Sequence, residues 1–148
     1  MSNIKVTIEN IPAGTEPEII IRCNEVDNSL LQLVDAIKSA SKKLIGTIDL
    51  QMHIIDPNDV FYFESVDNKV FIYCSEKVFE TRLKLYEIEK EYENWDFFRA
   101  SKSIILNIAK IHSLSPVFYG RFEALLRNGE KVVISRQYVP ILKGKLGL

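Results

Sequence analysis

Two histidines, two cysteines and a scatter of carboxylates are the side chains of this 148-residue chain that could carry out bond chemistry. Their spacing speaks against it. His53 lies in a strand-like apolar run and His112 at a strand end, and neither has a Cys or acidic partner at metal-ligand or triad spacing. Cys23 and Cys74 are far apart and read as reduced, half-buried thiols. Asp56 and Asp59 flank Pro57 and suit a turn better than a metal site, and the six glycines are single turn residues rather than a phosphate-cradling loop. The expectation is a chain that is not an enzyme and that needs no cofactor, no metal and no small-molecule substrate.

The cations are arranged more suggestively. The net charge is −1, yet residues 1–45 sum to −1, residues 46–96 to −7 and residues 97–148 to +7. The last third holds Arg99, Lys102, Lys110, Arg121, Arg127, Lys131, Arg136, Lys143 and Lys145 against only Glu123 and Glu130. A polyanion would be drawn there despite the near-neutral whole, provided folding keeps these charges on one surface. The acidic run Glu87, Glu89, Glu91 and Glu93 fits the wet side of a short helix.

Elements to position these charges follow from periodicity. Ile4 to Ile11 alternates apolar and polar like a half-buried strand, and Glu18 to Cys23 is a second, more apolar one. Asn28 or Ser29 caps a helix with Leu30, Leu31, Leu33, Val34 and Ile37 on one face, and residues 39–43 form its polar exit. The opening third is thus β-β-α, a unit of residues 1–45 that must dock on something, by pairing with its copy in a second chain or by covering the sheet of residues 46–148. From there strand follows strand: the β-rich run Gly46 to Ile55, then Val60 to Glu64, Val70 to Cys74 and Val78 to Thr81, with a hairpin tip at Asp67-Asn68. A short amphipathic helix spans Arg82 to Tyr92, and Asn107 to Ser113 reads as a linking strand. Arg127-Asn128-Gly129-Glu130 joins two further strands through the strongest hairpin signal in the chain. A short helix or tail closes it after Val139-Pro140. The fold class is mainly β with short helices, α+β overall. No run approaches the ~20 apolar residues of a membrane span, and the N-terminus lacks a secretion leader, so a soluble, cytoplasmic protein is expected.

Four phrases give residues 46–148 a recognisable order: Asp59-Val60-Phe61-Tyr62-Phe63-Glu64-Ser65, Phe98-Arg99-Ala100-Ser101-Lys102-Ser103-Ile104-Ile105-Leu106-Asn107, Leu126-Arg127-Asn128-Gly129-Glu130 and Val133-Ile134-Ser135-Arg136-Gln137-Tyr138. Together they resemble the LytTR DNA-binding domain of bacterial response regulators, in a short form without a receiver domain. Residues 1–45 are too few for a phosphoacceptor fold. The resemblance implies an elongated β-β-β domain whose edge loops enter successive major grooves of bent duplex DNA.

It further implies base contacts from Asn68 and Lys69 at the hairpin tip, from Lys102, and from Arg136, whose donor fork suits guanine O6 and N7. Arg99, Ser101, Ser103 and Gln137 would hold phosphates. The family's His-Arg-Ser is Ser101-Lys102-Ser103 here, which loses a ring donor and turns a bidentate fork into a point charge. Asn107 reads as a backbone-bonding residue and Tyr138 as a packing one. The function implied is a DNA-binding transcriptional regulator, homodimeric on two half-sites, a type often considered with a small membrane-protein partner. The alternatives are a protein-interaction module whose basic loops bind an acidic partner, and RNA binding. RNA is the weaker of these, because the aromatic residues fall at inward-facing strand positions.

Overall fold

A computed structural model describes residues 4–40 and 43–148, which divide after Ala40 into two units. In the first, a helix (α1, Asn28–Ala40) is the one regular element. Its cap is Asp27, not Asn28 or Ser29: the Asp27 carboxylate accepts Leu30 N–H at 2.8 Å. Leu30, Val34 and Ile37 are half-buried along the expected face, while Leu31 and Leu33 stay exposed. Of the polar exit expected at residues 39–43, Ser39 and Ala40 belong to the helix and residues 41 and 42 lie outside the described part, as do Met1 to Asn3.

The two strands expected at residues 4–11 and 18–23 do not form. Those residues are exposed, without a ladder partner. Alternation says which face of a strand would be buried but supplies no edge to pair with. Cys23 is accordingly exposed, not half-buried, whereas Cys74 is partly covered, and burial pushes its thiol above the ordinary value.

The described residues of the second unit form ten strands. In chain order they are β1 (Leu44–Ile48), β2 (Gln51–Ile55), β3 (Val60–Val66), β4 (Lys69–Cys74), β5 (Val78–Thr81), β6 (Phe97–Arg99), β7 (Ile104–Asn107), β8 (Ile111–Pro116), β9 (Phe122–Leu126) and β10 (Lys131–Ile134). Two short helices, α2 (Leu85–Glu91) and α3 (Val139–Lys145), complete it. Every pairing is antiparallel, in a seven-stranded sheet ordered β2-β1-β5-β4-β3-β7-β6 and a three-stranded sheet ordered β10-β9-β8.

The large sheet separates two cores. One face carries Phe63, Ile72, Phe97 and Ile105 against Leu85, Ile88 and Tyr92 of the α2 region. The other carries Phe61, Phe98 and Leu106 against Ala124, Leu126 and Ile134 of the small sheet and Leu142 of α3. The neighbours Phe97-Phe98 and Ile105-Leu106 therefore serve opposite cores, because successive strand side chains alternate faces. This explains why these strands read as continuous apolar runs.

Three local expectations change. The run Gly46 to Ile55 is a hairpin, not one strand, turning at Asp49 and Leu50 with φ of 49° and 70°. Gly46 is required there, since a Cβ would fall 2.5 Å from Phe79 Cβ. Helix α2 starts at Leu85 rather than Arg82, with the Glu87 carboxylate accepting Lys84 N–H at 3.0 Å. Asn107 to Ser113 begins with a 3-10 turn, residues 108–110, before β8. Its cause is Asn107, 3% exposed, which accepts Ala109 N–H at 3.0 Å and donates to Val60 O at 2.8 Å. That is the backbone-bonding role read from the sequence. Tyr138 packs against the second core, as expected.

Candidate nucleic-acid interface

Three loops meet at one end of the large sheet. The β3–β4 turn, Asp67 and Asn68, has φ of 50° and 64°, the paired left-handed conformations of a tight hairpin that Asp and Asn tolerate. The β6–β7 loop, residues 100–103, is closed by Ala100 N–H and Ser101 N–H donating to Ile104 O, and by the Ser101 hydroxyl accepting Ser103 N–H at 3.2 Å. The third loop leaves β10 as a 3-10 turn, Arg136–Tyr138.

Backbone hydrogen bonds tie these loops together. Ser65 N–H donates to Ser103 O at 2.8 Å, joining the end of β3 to the second loop. Ser135 N–H donates to Ala100 O at 2.8 Å, joining the second loop to the third. Asn68, Lys69, Lys102, Arg136 and Gln137 are all exposed on them. β4 and β7 flank β3 on either side, so the strand that begins with Lys69 and the strand that follows the Lys102 loop run about 10 Å apart.

Arg99, expected to hold a phosphate, is engaged inward. Its side chain is 15% exposed, with Nε 3.2 Å from Glu89 Oε2 and a second nitrogen donating to Lys102 O at 2.9 Å. The guanidinium braces the loop that carries Lys102. Ser101 and Ser103, half-buried, spend their polar atoms partly on the same loop, their hydroxyls 3.4 Å apart.

Two cations missed in the sequence join this end. Thr81, the last residue of β5, pairs with Val70 beside Lys69. Arg82 and Lys84 follow it, exposed, and line a shallow depression of about 390 Å³ with Asn68 and Lys69. They sit in the net-acidic stretch of the sequence, where charge averaging conceals them. Conversely, the last third is not uniformly at this end. Arg127 and Lys131 flank the β9–β10 turn at the far end of the small sheet, where Arg127 donates to Ala109 O at 3.2 Å, and Lys110 lies over the Phe61 ring.

Elsewhere His53 leans on Phe79 with ring centres 5.3 Å apart. Tyr62 and Tyr73 stack at 4.3 Å, and Tyr73 donates to Glu64 at 3.2 Å. Burial first, then the Glu130 carboxylate, raises the Tyr62 phenol far above its ordinary value. Among the described residues no group of three or more His, Cys, Asp or Glu could hold a metal ion, and no helix is long and apolar enough to cross a membrane.

Comparison with known proteins points the same way. The LytTr DNA-binding domain family matches residues 50–147. The chain is 30% identical over 136 residues to an uncharacterized HTH-type transcriptional regulator of Staphylococcus aureus strain NCTC 8325, covering 90% of this chain and 92% of that protein. A relative from strain MRSA252 with the same description is 29% identical over the same length. Among solved structures, the LytTr DNA-binding domain of a Bacillus cereus protein described as a methyl-accepting/DNA response regulator superposes with a TM-score of 0.68 at 24% identity. That match covers 72% of this chain and 97% of the other. The helix-turn-helix label of the staphylococcal relatives does not describe the fold seen here, where five strands separate α2 from α3.

Proposed function

Because the chain belongs to the LytTR DNA-binding domain family, we propose that it is a transcriptional regulator that reads duplex DNA with the loops at one end of its large sheet. Arg136 and Lys102 address base edges, Arg136 as a donor fork on guanine and Lys102 as a point charge. Asn68 and Lys69 extend the reading surface into the next stretch of groove. Gln137, Ser101 and Ser103 face phosphates, joined by Arg82 and Lys84, and Arg99 positions Lys102 instead of meeting DNA itself. The observation that carries this reading is the pair of backbone hydrogen bonds, Ser65 to Ser103 and Ser135 to Ala100, that hold three exposed basic loops in one row.

The chain acts as a homodimer on two half-sites. Residues 4–40 supply the contact between copies: Ile4, Val6 and Ile8 are 62%, 80% and 89% exposed, apolar side chains that two-fold pairing of this segment would cover. Such a regulator works in the cytoplasm, on chromosomal DNA.

Selection of bound duplexes from a random pool at moderate salt tests the proposal. An enriched motif is expected, with Arg136→Ala weakening binding to it by roughly 10–100-fold, or 1–3 kcal/mol, and non-specific binding far less. Absence of any enriched motif would remove the reading and favour an acidic protein partner for the same loops.

A further inference from the structure

The β8–β9 connection, residues 117–121, is closed by Val117 N–H donating to Arg121 O at 2.9 Å. Phe118 and Tyr119 project from it, 81% and 83% exposed, and neither belongs to a core. Tyr119 has φ 65° and ψ 34°, a left-handed conformation that bulky side chains rarely adopt and that costs energy to hold. The turn is braced from its own base: Arg121 Nε donates to Phe118 O at 3.1 Å, and the guanidinium lies 6.0 Å from the centre of the Tyr119 ring. Packing of the domain does not require these rings to be where they are.

The turn is also packed against the basic loops. Phe122 pairs with Ile134, one residue before Ser135. Gly120, at φ 73°, lies so close to Arg136 that a Cβ would stand 2.9 Å from Arg136 Cδ and 3.0 Å from its Cγ. The stem of Arg136 therefore rests on the Gly120 backbone, in the turn that carries the two rings. Lys143 Nζ stands 5.6 Å from the ring centre of Phe122, the residue that follows the turn, and residues 117–121 include no acid.

We propose that Phe118 and Tyr119 form a fourth element of the duplex-DNA surface, laying their ring faces on the sugar and base edges next to the nucleotide met by Arg136. The proposal rests on the DNA-binding reading above. Rings on a turn that carries Arg121 and backs onto Arg136 suit a polyanion whose phosphates meet the cations while its sugars and bases take the apolar faces. A protein partner would need acidic side chains placed to match these cations, which any stretch of phosphate backbone already supplies. The strained turn aims both rings at the bound duplex, and Gly120 keeps Arg136 alongside them.

The test uses the full chain, the duplex it selects and the double variant Phe118→Ala/Tyr119→Ala. Both residues are exposed, so thermal unfolding should match the parent; should it not, Tyr119→Gly removes one ring and suits the positive φ. The expected result is binding about tenfold weaker, or about 1.4 kcal/mol. The slope of log K against log salt stays unchanged, since no phosphate contact is lost. Hydroxyl-radical protection disappears at the sugars flanking the Arg136-dependent base. Parent affinity with a parent footprint overturns the proposal and leaves the turn free for a protein. Weaker binding with a shallower salt slope overturns it too, by assigning the loss to Arg121. If the parent chain selects no duplex, the DNA-binding reading itself fails, an outcome seen before any loop variant is made.

Discussion

Arg99→Leu separates two roles for one arginine. Leucine keeps most of the half-buried stem and deletes the fork that pairs with Glu89 and donates to Lys102 O. The bond to Lys102 O is charge-assisted and contributes roughly 1.5 kcal/mol. The pair with Glu89, whose side chain is 50% exposed, adds about 0.5 kcal/mol. A total near 2 kcal/mol corresponds to a fall in Tm of about 8 °C for a unit of this size. Loss of the brace also frees the loop bearing Lys102, so specific DNA binding should weaken several-fold. Because Arg99 touches no phosphate in this account, the salt slope of binding should stay at the parent value. A phosphate contact would instead reduce the magnitude of that slope by about 0.9. Calorimetric melting and binding titrations at three or more salt concentrations measure both quantities. Unchanged stability with a slope reduced by one phosphate would refute the bracing argument.

Other consequences are equally specific. Asn107→Ala should cost about 3 kcal/mol in urea unfolding, since it strips partners from Val60 O and Ala109 N–H; a loss below 1 kcal/mol would mean the 3-10 turn forms without it. Burial raises Tyr62 and Tyr73, and pushes Tyr92 up to about 12, above the tyrosine value of 10.0 that applies when unfolded. The unfolded chain therefore releases these protons first. The Cys74 thiol, likewise raised by burial from 9.0, adds its own loss at the lower end. The contribution of these groups should therefore be level up to about pH 9 and fall as pH rises towards 12, with urea melts showing a flat profile if the reasoning fails. Arg82→Ala should weaken specific and non-specific DNA binding alike and reduce the salt slope by about 0.9, whereas a selective loss on the specific site would make Arg82 a base reader. Val6→Asp with Ile8→Asp should shift the chain from dimer to monomer in sedimentation without lowering the melting of the β domain; an unchanged mass would remove residues 4–40 from the dimer contact.

Legibility in the sequence followed how local the cause was. Asp67-Asn68 and Asn128-Gly129 announced their hairpins because those residue types tolerate left-handed backbone, and both turns form. Leu50 and Tyr119 adopt the same conformation without that chemistry, held there by flanking strands, and Asp49 alone did not mark its turn, so neither turn was visible. The alternation at residues 4–11 was real but no partner strand exists within the chain's described residues. Charge was misleading in both directions. Arg82 and Lys84 were hidden in an acidic stretch, and Arg127 and Lys131 were counted with a basic cluster from which the β9–β10 ladder carries them away. Arg99 looked like a surface cation because its partner, Glu89, belongs to another element. The motif order nevertheless pointed to three loops that backbone hydrogen bonds join, since a hairpin's tip follows from its strands.

Methylation interference on a selected duplex tests the central claim most directly, because guanine N7 lies in the major groove. Three tied basic loops per chain, two chains per site, predict interference at guanines clustered on one face of the helix and repeated about 10 base pairs apart. Arg136→Ala should relieve the interference at one guanine in each cluster. Binding insensitive to N7 methylation throughout the site would contradict major-groove reading by these loops.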